Sequence, residues 1–509
     1  MAGAVVLHQT HEFLLYPPSD CPDSQASIRV RVSFHSRMHQ HRCLPNGTVM
    51  FRIQTLVEPQ PSRTDSPDDE NGAEVAQSPD RLLIKGGHVV TLDPQLGEIA
   101  GGDVLIEGSK IVRVGKDLDV EGAEVIDASA FAVIPGFIDT HRHTWQTALR
   151  ATVVPTNYFA TVLVQLGPLF RPQDVYVGNL LGAVGALDSG ITTMLDWSHI
   201  MNSPAHADSA VQGLRESGIR GVFAHGVGQV GKSAGVSGSN SQQHSDDIRR
   251  VQQEFFGPDE DLLTLALAFG GPEFSSIEDT INDVNLAREL GIRLTTHVGV
   301  LPGKNAITQM NDAGLLGPDI TYIHASGTPD EEIALIAQSG GSLSISPLNE
   351  RLNGLTRWLK HGLRPSLSLD TETIAPTDLF AQMRALMWHE WTAQAQDPDR
   401  IPFTSQDILE FATVEGARAT GLDDKVGTLT PGKAADVVLV DLEDITTLPR
   451  GGDPLGTITM LAQPHHVKWV IVNGVVRKRD GRLVDVDVER LNSLARESQN
   501  HLLSAAGLR

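Results

Sequence analysis

The sequence predicts an α/β fold: a (β/α)8 TIM barrel with a small β-sandwich formed from both ends of the chain. Three observations predict it. Eight apolar, β-branched runs in the middle of the chain end near His141, Asp196, His225, Phe269, His297, His324, Ser346 and Asp370, at intervals of 55, 29, 44, 28, 27, 22 and 24 residues. Most intervals suit one helix and one strand, and eight such units make a barrel; a doubly wound open sheet is the alternative, and the count favours the barrel. Helix signals fill the intervals. Ser203 and Pro204 open SPAHADSAVQGLRESG as N-cap and first helical residue, with Gly218 closing it, and Thr328-Pro329-Asp330-Glu331 is a capping box opening TPDEEIALIAQSG. Finally, short strands separated by glycine turns occur on both flanks.

On the N-terminal flank these strands are 82–92 (LLIKGGHVVTL), 103–107 and 110–114, and on the C-terminal flank 436–441, 467–473, 475–478 and 482–486. Neither set can bury a core alone. Residues 81–132 and 427–490 are therefore predicted to form one composite β domain, with the barrel at 133–426 inserted and a helical tail at 491–509. Residues 1–80 read differently. The stretch 28–52 carries five arginines and no acid, and 59–80 is rich in Pro, Ser and acids, so the segment is expected to be an extension without a stable fold. A transit-sequence reading of the basic stretch is opposed by Glu12, Asp20 and Asp23.

Composition narrows the function. Forty Lys and Arg against 63 Asp and Glu give a net charge of −23, which argues against nucleic-acid or anionic-membrane partners. Two cysteines, Cys21 and Cys43, exclude a disulfide framework and leave His and carboxylates as the available metal ligands. No apolar run approaches the ~20 residues of a membrane span, and a cytoplasmic protein is expected.

The catalytic face of such a barrel is built from the C-terminal ends of its strands. Here the run 133–138 ends in Asp139-Thr140-His141-Arg142-His143, IRLTT ends in His297, ITYI in His324 and RPSLSL in Asp370. A single His at a strand end is more often a hydrogen-bonded pocket residue than a ligand. Four strand ends delivering one ligand class are far less easily accidental, and they point to a divalent metal, zinc before iron(II) or manganese.

The stretches PGFIDTHRH at 135–143, EGARATGLDDKVGTLTPGKAADVVLVDL at 415–442 and VKWVIVNGVVRKRDGRLV at 467–484 resemble the amidohydrolase superfamily. Within it the chain is similar to the cytosine deaminase and atrazine chlorohydrolase branch, over roughly 81–486. The resemblance implies one metal held by His141, His143, His297 and Asp370, with His324 beside it to orient or polarise a small-molecule substrate. It also implies a homo-oligomer, a dimer or larger. The metal would make hydroxide available near neutral pH. Asp370 would take the water's proton, and His324 would stabilise developing charge, in hydrolysis of a non-peptide C–N bond of a cyclic or heteroaromatic molecule.

One departure matters. Deaminases of this branch carry a Glu three residues after the strand-five His, where this chain has Val300. A valine transfers no proton, so Asp370, His324 or Glu350 would have to serve the leaving group. Alternatively the same metal site runs non-hydrolytic chemistry (a lyase, dehydratase or cyclisation step), or the scaffold is a metal-silenced binding protein. Trp145, Gln146 and His199 are candidate substrate contacts, weighed evenly against structural packing, and Glu350 is a further candidate; the remaining histidines, His465 and His466 among them, are expected to have no role.

Overall fold

The computed structural model describes residues 81–152, 157–228, 242–257, 262–350, 355–393, 401, 403–449 and 452–509, with three strands nearer the N-terminus. Those strands, β1 (Thr10–Leu15), β2 (Ile28–Phe34) and β3 (Phe51–Ile53), belong to a unit of their own, Met1–Ala76. β1 pairs antiparallel and β3 parallel with β2. IRVRVSF, which alternates β-branched and polar residues, has the two-residue period of a strand. The linker expected at 59–80, Cys21 and Cys43 lie outside the described residues.

The second unit is Gln77–Arg509. It opens with β4 (Arg81–Val90), β5 (Glu98–Glu107), β6 (Lys110–Gly115), β7 (Glu124–Asp127) and β8 (Phe131–Pro135). Eight strands follow among the described residues: β9 (Phe137–Arg142), β10 (Ile191–Ser198), β11 (Arg220–His225), β12 (Leu263–Ala268), β13 (Arg293–Val298), β14 (Ile320–His324), β15 (Ser342–Ile345) and β16 (Pro365–Leu367). The chain closes with β17 (Val437–Asp441), β18 (Val467–Val472), β19 (Val475–Arg479), β20 (Arg482–Leu483) and a helix, Val488–Ala505. No described helix is long and apolar enough to cross a membrane.

Both ends of this unit meet in one mixed sheet of order β20-β19-β18-β17-β8-β4-β5-β6, with β7 added to β4. The junction is the antiparallel pair β17–β8, in register from Val437 on Pro135 to Asp441 on Phe131. Leu82, Ile84, Val104, Ile106, Leu439 and Ile471 form its core. From β8 the chain passes through Gly136 into β9, where any Cβ would stand 2.1 Å from Thr192 Oγ1, so only glycine fits this crossing.

β9 to β16 lie in sequence order, and all neighbours are parallel. An isolated parallel bridge from Arg142 to Asp370 joins the last segment to the first, through His143 N to Asp370 O at 2.7 Å and Asp370 N to His141 O at 2.9 Å. These two hydrogen bonds close the eight-stranded sheet into a barrel at the residues that carry the chemistry. Ile138, Leu195, Trp197, Val222, Ala224, Ala266 and Ala268 pack as one cluster with Ala417 and Leu422. The alternating Ser of SLSIS and PSLSL has a purpose too. Thr140, Ser344, Ser366 and Ser368 are linked by hydroxyl hydrogen bonds of 2.7–3.0 Å, so buried polar atoms on β9, β15 and β16 satisfy one another.

Candidate metal centre

β9 is irregular where it matters. Its pairing with β10 shifts register between Met194 and Asp196, so Thr140 and His141 together oppose one residue. After this bulge His141 and His143 both reach the site, although His143 already lies beyond the strand end. The Nε2 atoms of His141 and His297 are 3.2 Å apart. Asp370 Oδ1 stands 3.5 Å from Nε2 of His141 and 3.5 Å from Nε2 of His143. Ligands held at the usual ~2.0–2.1 Å of one tetrahedral zinc stand roughly 3.3 Å apart, so these atoms fit a single ion.

Protonation fits as well. The Nδ1–H of His143 donates to Trp197 O at 3.0 Å; a carbonyl only accepts, so the lone pair of Nε2 faces its partners. Burial, aided by the neighbouring His141, pulls His143 down to about 3, and burial also pulls His297 well below its ordinary value. Both imidazoles are neutral, the state a metal binds. Burial pushes Asp370 up, but its hydrogen bond with His141 and the charges of His324 and His141 outweigh this and hold it an anion. His141 Nδ1 is buried with no hydrogen-bond partner among the described residues.

His324 stands beside this group, its ring centroid 5.7 Å from that of His141 and 5.2 Å from that of His297. Its Nδ1–H donates to Glu350 Oε1 at 2.9 Å. Burial opposes its positive charge, but the Glu350 carboxylate more than offsets that, and His324 is raised above its ordinary value. Backbone strain gathers here: His324, Ala325 and Asp370 have φ of 75°, 54° and 62°. A left-handed non-glycine residue costs of order 1–3 kcal/mol, so the surroundings must hold these residues in place. Glu350 is part of that hold, accepting Ser326 Oγ at 2.7 Å and Ser346 N at 2.5 Å. Behind the site Arg142 is fully buried and donates to Asp139 Oδ2, Gly182 O and Glu372 Oε1 at 2.7, 3.1 and 2.7 Å. Arg150 also pairs with Glu372.

Val300 brings no carboxylate to the site, but one lies behind its loop. Glu273 accepts the backbone N–H of Val300 at 3.0 Å and of Leu301 at 2.9 Å, and also that of Gly299. Both carboxylate oxygens are taken up in shaping the turn that follows His297.

The four expected substrate contacts fare differently. Trp145 is 0% exposed, its ring packed edge-on to Phe170 at 4.8 Å and His199 at 5.4 Å, which leaves no surface for a ligand. Gly178 and Gly182 bring the helix Pro172–Asp188 onto this turn; a Cβ on Gly178 would stand 2.4 Å from Trp145 O. Gln146 is also 0% exposed, its amide held between Thr371 Oγ1 at 2.8 Å and Tyr158 OH at 2.6 Å. Glu350 is committed to His324 rather than open to substrate. His199 lies close in, its ring centroid 4.4 Å from that of His143. Residues not singled out from sequence are Trp197, whose carbonyl orients His143, and Tyr158, Glu273 and Glu372. The aromatic in LDWSH at the end of β10 was the available signal for Trp197; the others act through partners distant in sequence.

A second group, Asp444, His465 and His466, also brings potential ligand atoms within 4.8 Å. There Gln463 N–H donates to His466 Nδ1 at 2.9 Å, which puts the ring proton on Nε2, 3.4 Å from Asp444 Oδ1. That nitrogen is a donor and has no lone pair for an ion.

Comparison with known proteins agrees with the geometry. The chain is 28% identical to a 5-methylthioadenosine/S-adenosylhomocysteine deaminase of Symbiobacterium thermophilum, over 83% of this chain and 99% of that one. It is 26% identical to a 5'-deoxyadenosine deaminase of Methanosarcina mazei, over 83% and 98%. Among solved structures it resembles a triazine hydrolase of Arthrobacter aurescens (TM-score 0.75, 23% identity, 82% and 99% covered). An adenosine deaminase of Xanthomonas campestris with bound zinc gives a TM-score of 0.72 at 20% identity, with 83% and 98% covered. The amidohydrolase family model matches residues 132–477, from β8 to β19 and through every residue of the metal centre, and the chain belongs to that family.

Proposed function

We propose that this chain is a zinc-dependent hydrolase that replaces an amino or similar leaving group on an electron-poor carbon of a nitrogen heteroaromatic ring. The observation that carries the reading is the convergence of three imidazoles and a carboxylate, with His324 beside them. His141, His143, His297 and Asp370 would hold the ion. An ion so held supplies a nucleophile at neutral pH by lowering the pKa of water from ~15.7 toward ~7.

The chain's own residues do the rest. Asp370 is an anion with Oδ1 turned to the histidines, and it accepts the water's proton while Asn349 Nδ2 approaches its other oxygen at 3.4 Å. Glu350 favours the charged form of His324, in which Nε2–H donates to the ring atom on which charge develops. With Val300 at the usual shuttle position, the proton for a departing nitrogen comes from Asp370 after it has taken the water's proton. A leaving group that departs as an anion needs none, and this chain would favour it more than a relative with the carboxylate. The deaminase names of the relatives and the triazine hydrolase neighbours support the substrate class.

The reading is completed by domains at 1–80, 81–132 with 427–490, 133–426 and 491–509, a homo-oligomer and a cytoplasmic location, which rest on sequence and resemblance. The test is incubation of zinc-loaded protein with 5'-methylthioadenosine, 5'-deoxyadenosine and an amino-substituted triazine, followed by mass spectrometry. Exchange of NH for O, or of another leaving group for OH, supports the proposal; loss of water from a substrate or no turnover of any contradicts it.

A further inference from the structure

Tyr158 lies past the loop that follows β9, at the catalytic end of the barrel, in a segment that no motif marks. Its phenol oxygen accepts Gln146 Nε2 at 2.6 Å. The carbonyl of Gln146 accepts Thr371 Oγ1 at 2.8 Å, and Thr371 Oγ1 receives Thr373 N at 3.3 Å. Donors therefore run one way, from Thr373 to Thr371 to Gln146 to Tyr158. The chain ends on a hydroxyl whose own proton has no acceptor among the described residues.

That end point belongs to the site. Thr371 adjoins Asp370, whose N–H and C=O close the barrel, and Gln146 lies three residues after His143. Burial raises the Tyr158 phenol, and the Asp370 charge raises it further, so the hydroxyl keeps its proton at any physiological pH. Tyr158 itself is only half-buried. A protonated donor held by Gln146 and without an acceptor among the described residues is arranged to meet a group that arrives from outside.

We propose that the Tyr158 hydroxyl donates a hydrogen bond to an acceptor nitrogen on the substrate ring, with Gln146 as the positioning residue that aims it. This rests on the reading of the metal centre as acting on a nitrogen heteroaromatic, and it adds a requirement: the ring carries a lone-pair nitrogen on the edge that faces Tyr158. A C–H at that position leaves the phenol unpaired in the complex, so the site discriminates against it.

The test uses Tyr158→Phe and Gln146→Met in the full-length zinc-loaded protein, with zinc content and melting temperature checked first. Calorimetry then measures binding of purine riboside, which has no amino group to lose, and of its monodeaza analogues. Tyr158→Phe weakens riboside binding roughly tenfold, the worth of one hydrogen bond, and Gln146→Met weakens it less. Against the one deaza analogue that lacks the contacted nitrogen, wild type and Tyr158→Phe bind alike. Equal riboside affinities overturn the inference, as does a loss shared evenly by all analogues. A wild type that binds riboside but releases no ammonia from adenosine removes the deaminase reading alone, and the Tyr158 comparison still decides the inference. A wild type that binds no riboside overturns both.

Discussion

Replacing Glu350 with Gln isolates the role of one charge. In the native site its carboxylate accepts His324 Nδ1 at 2.9 Å, Ser326 Oγ at 2.7 Å and Ser346 N at 2.5 Å. Gln keeps the shape and one acceptor oxygen, enough for His324 and Ser346, while the Ser326 hydroxyl can turn to accept from the new amide. What is lost is the charge. A hydrogen bond to a charged partner contributes about 1.5–3 kcal/mol and a neutral one about 0.5–1.5, so the change costs roughly 1–1.5 kcal/mol. If that is lost in the transition state, kcat falls about tenfold with KM little moved. Glu350 is also what lifts His324 above its ordinary value against the opposing effect of burial. Its removal lowers that value, so the alkaline limb of the kcat profile moves to lower pH. The same sign governs stability. A His raised in the folded state stabilises fully below its unfolded value near 6.5 and loses that contribution as pH rises through the folded value, so the wild-type advantage over Glu350→Gln shrinks on the alkaline side. Steady-state rates and melting temperatures between pH 5.5 and 9 measure both, with ~0.5-unit steps resolving the limb. An unchanged alkaline limb together with an unchanged kcat would refute the assignment of Glu350 to His324.

Three further outcomes follow from the geometry. Arg142→Leu leaves Asp139 buried without its cation and Glu372 with Arg150 alone, and chemical denaturation should show a loss of about 3–5 kcal/mol; a loss under ~1 kcal/mol would mean the network does not support the barrel closure. Gly178→Ala forces a Cβ to 2.4 Å from Trp145 O, and overpacking of this kind costs about 1–3 kcal/mol, read as a lower melting temperature with a parallel loss of activity. Val300→Glu restores a carboxylate after His297, and ammonia release from an aminopurine nucleoside should rise with zinc content unchanged; no rise would show that a missing proton shuttle does not limit this reaction.

Much of the fold was legible because barrel strands announce themselves twice, as β-branched runs and as regular intervals. The eight expected strand ends lie close to the observed ones, the widest gap being from Asp370 to Leu367 at the end of β16. That gap has a cause: Asp370 sits at φ 62°, outside strand geometry, and only then bridges back to Arg142. The sequence DTHRH carries both histidines of the first strand end, but only the bulge in β9 and the chain just beyond it bring His141 and His143 to one site. Trp145 and Gln146 looked like pocket residues because they follow the ligands in sequence. Their burial is decided by Gly178 and Gly182 on a helix whose approach no local pattern encodes. Glu350 was singled out as a candidate substrate contact, and only the fold shows that His324, 26 residues away in sequence, meets its carboxylate.

The central claim is that one metal ion is held by His141, His143, His297 and Asp370. Elemental analysis of the protein after expression with zinc, beside His143→Ala, tests it most directly. His143→Ala removes one ligand and leaves Trp197 O without its donor, but leaves the Arg142 pairs with Asp139 and Glu372 in place. The account predicts about one zinc per chain in the wild type and a steep loss in the variant, of ~100-fold or more in affinity, with the fold intact by circular dichroism. A wild type that purifies without stoichiometric metal, or a His143→Ala protein that keeps its zinc, would contradict it.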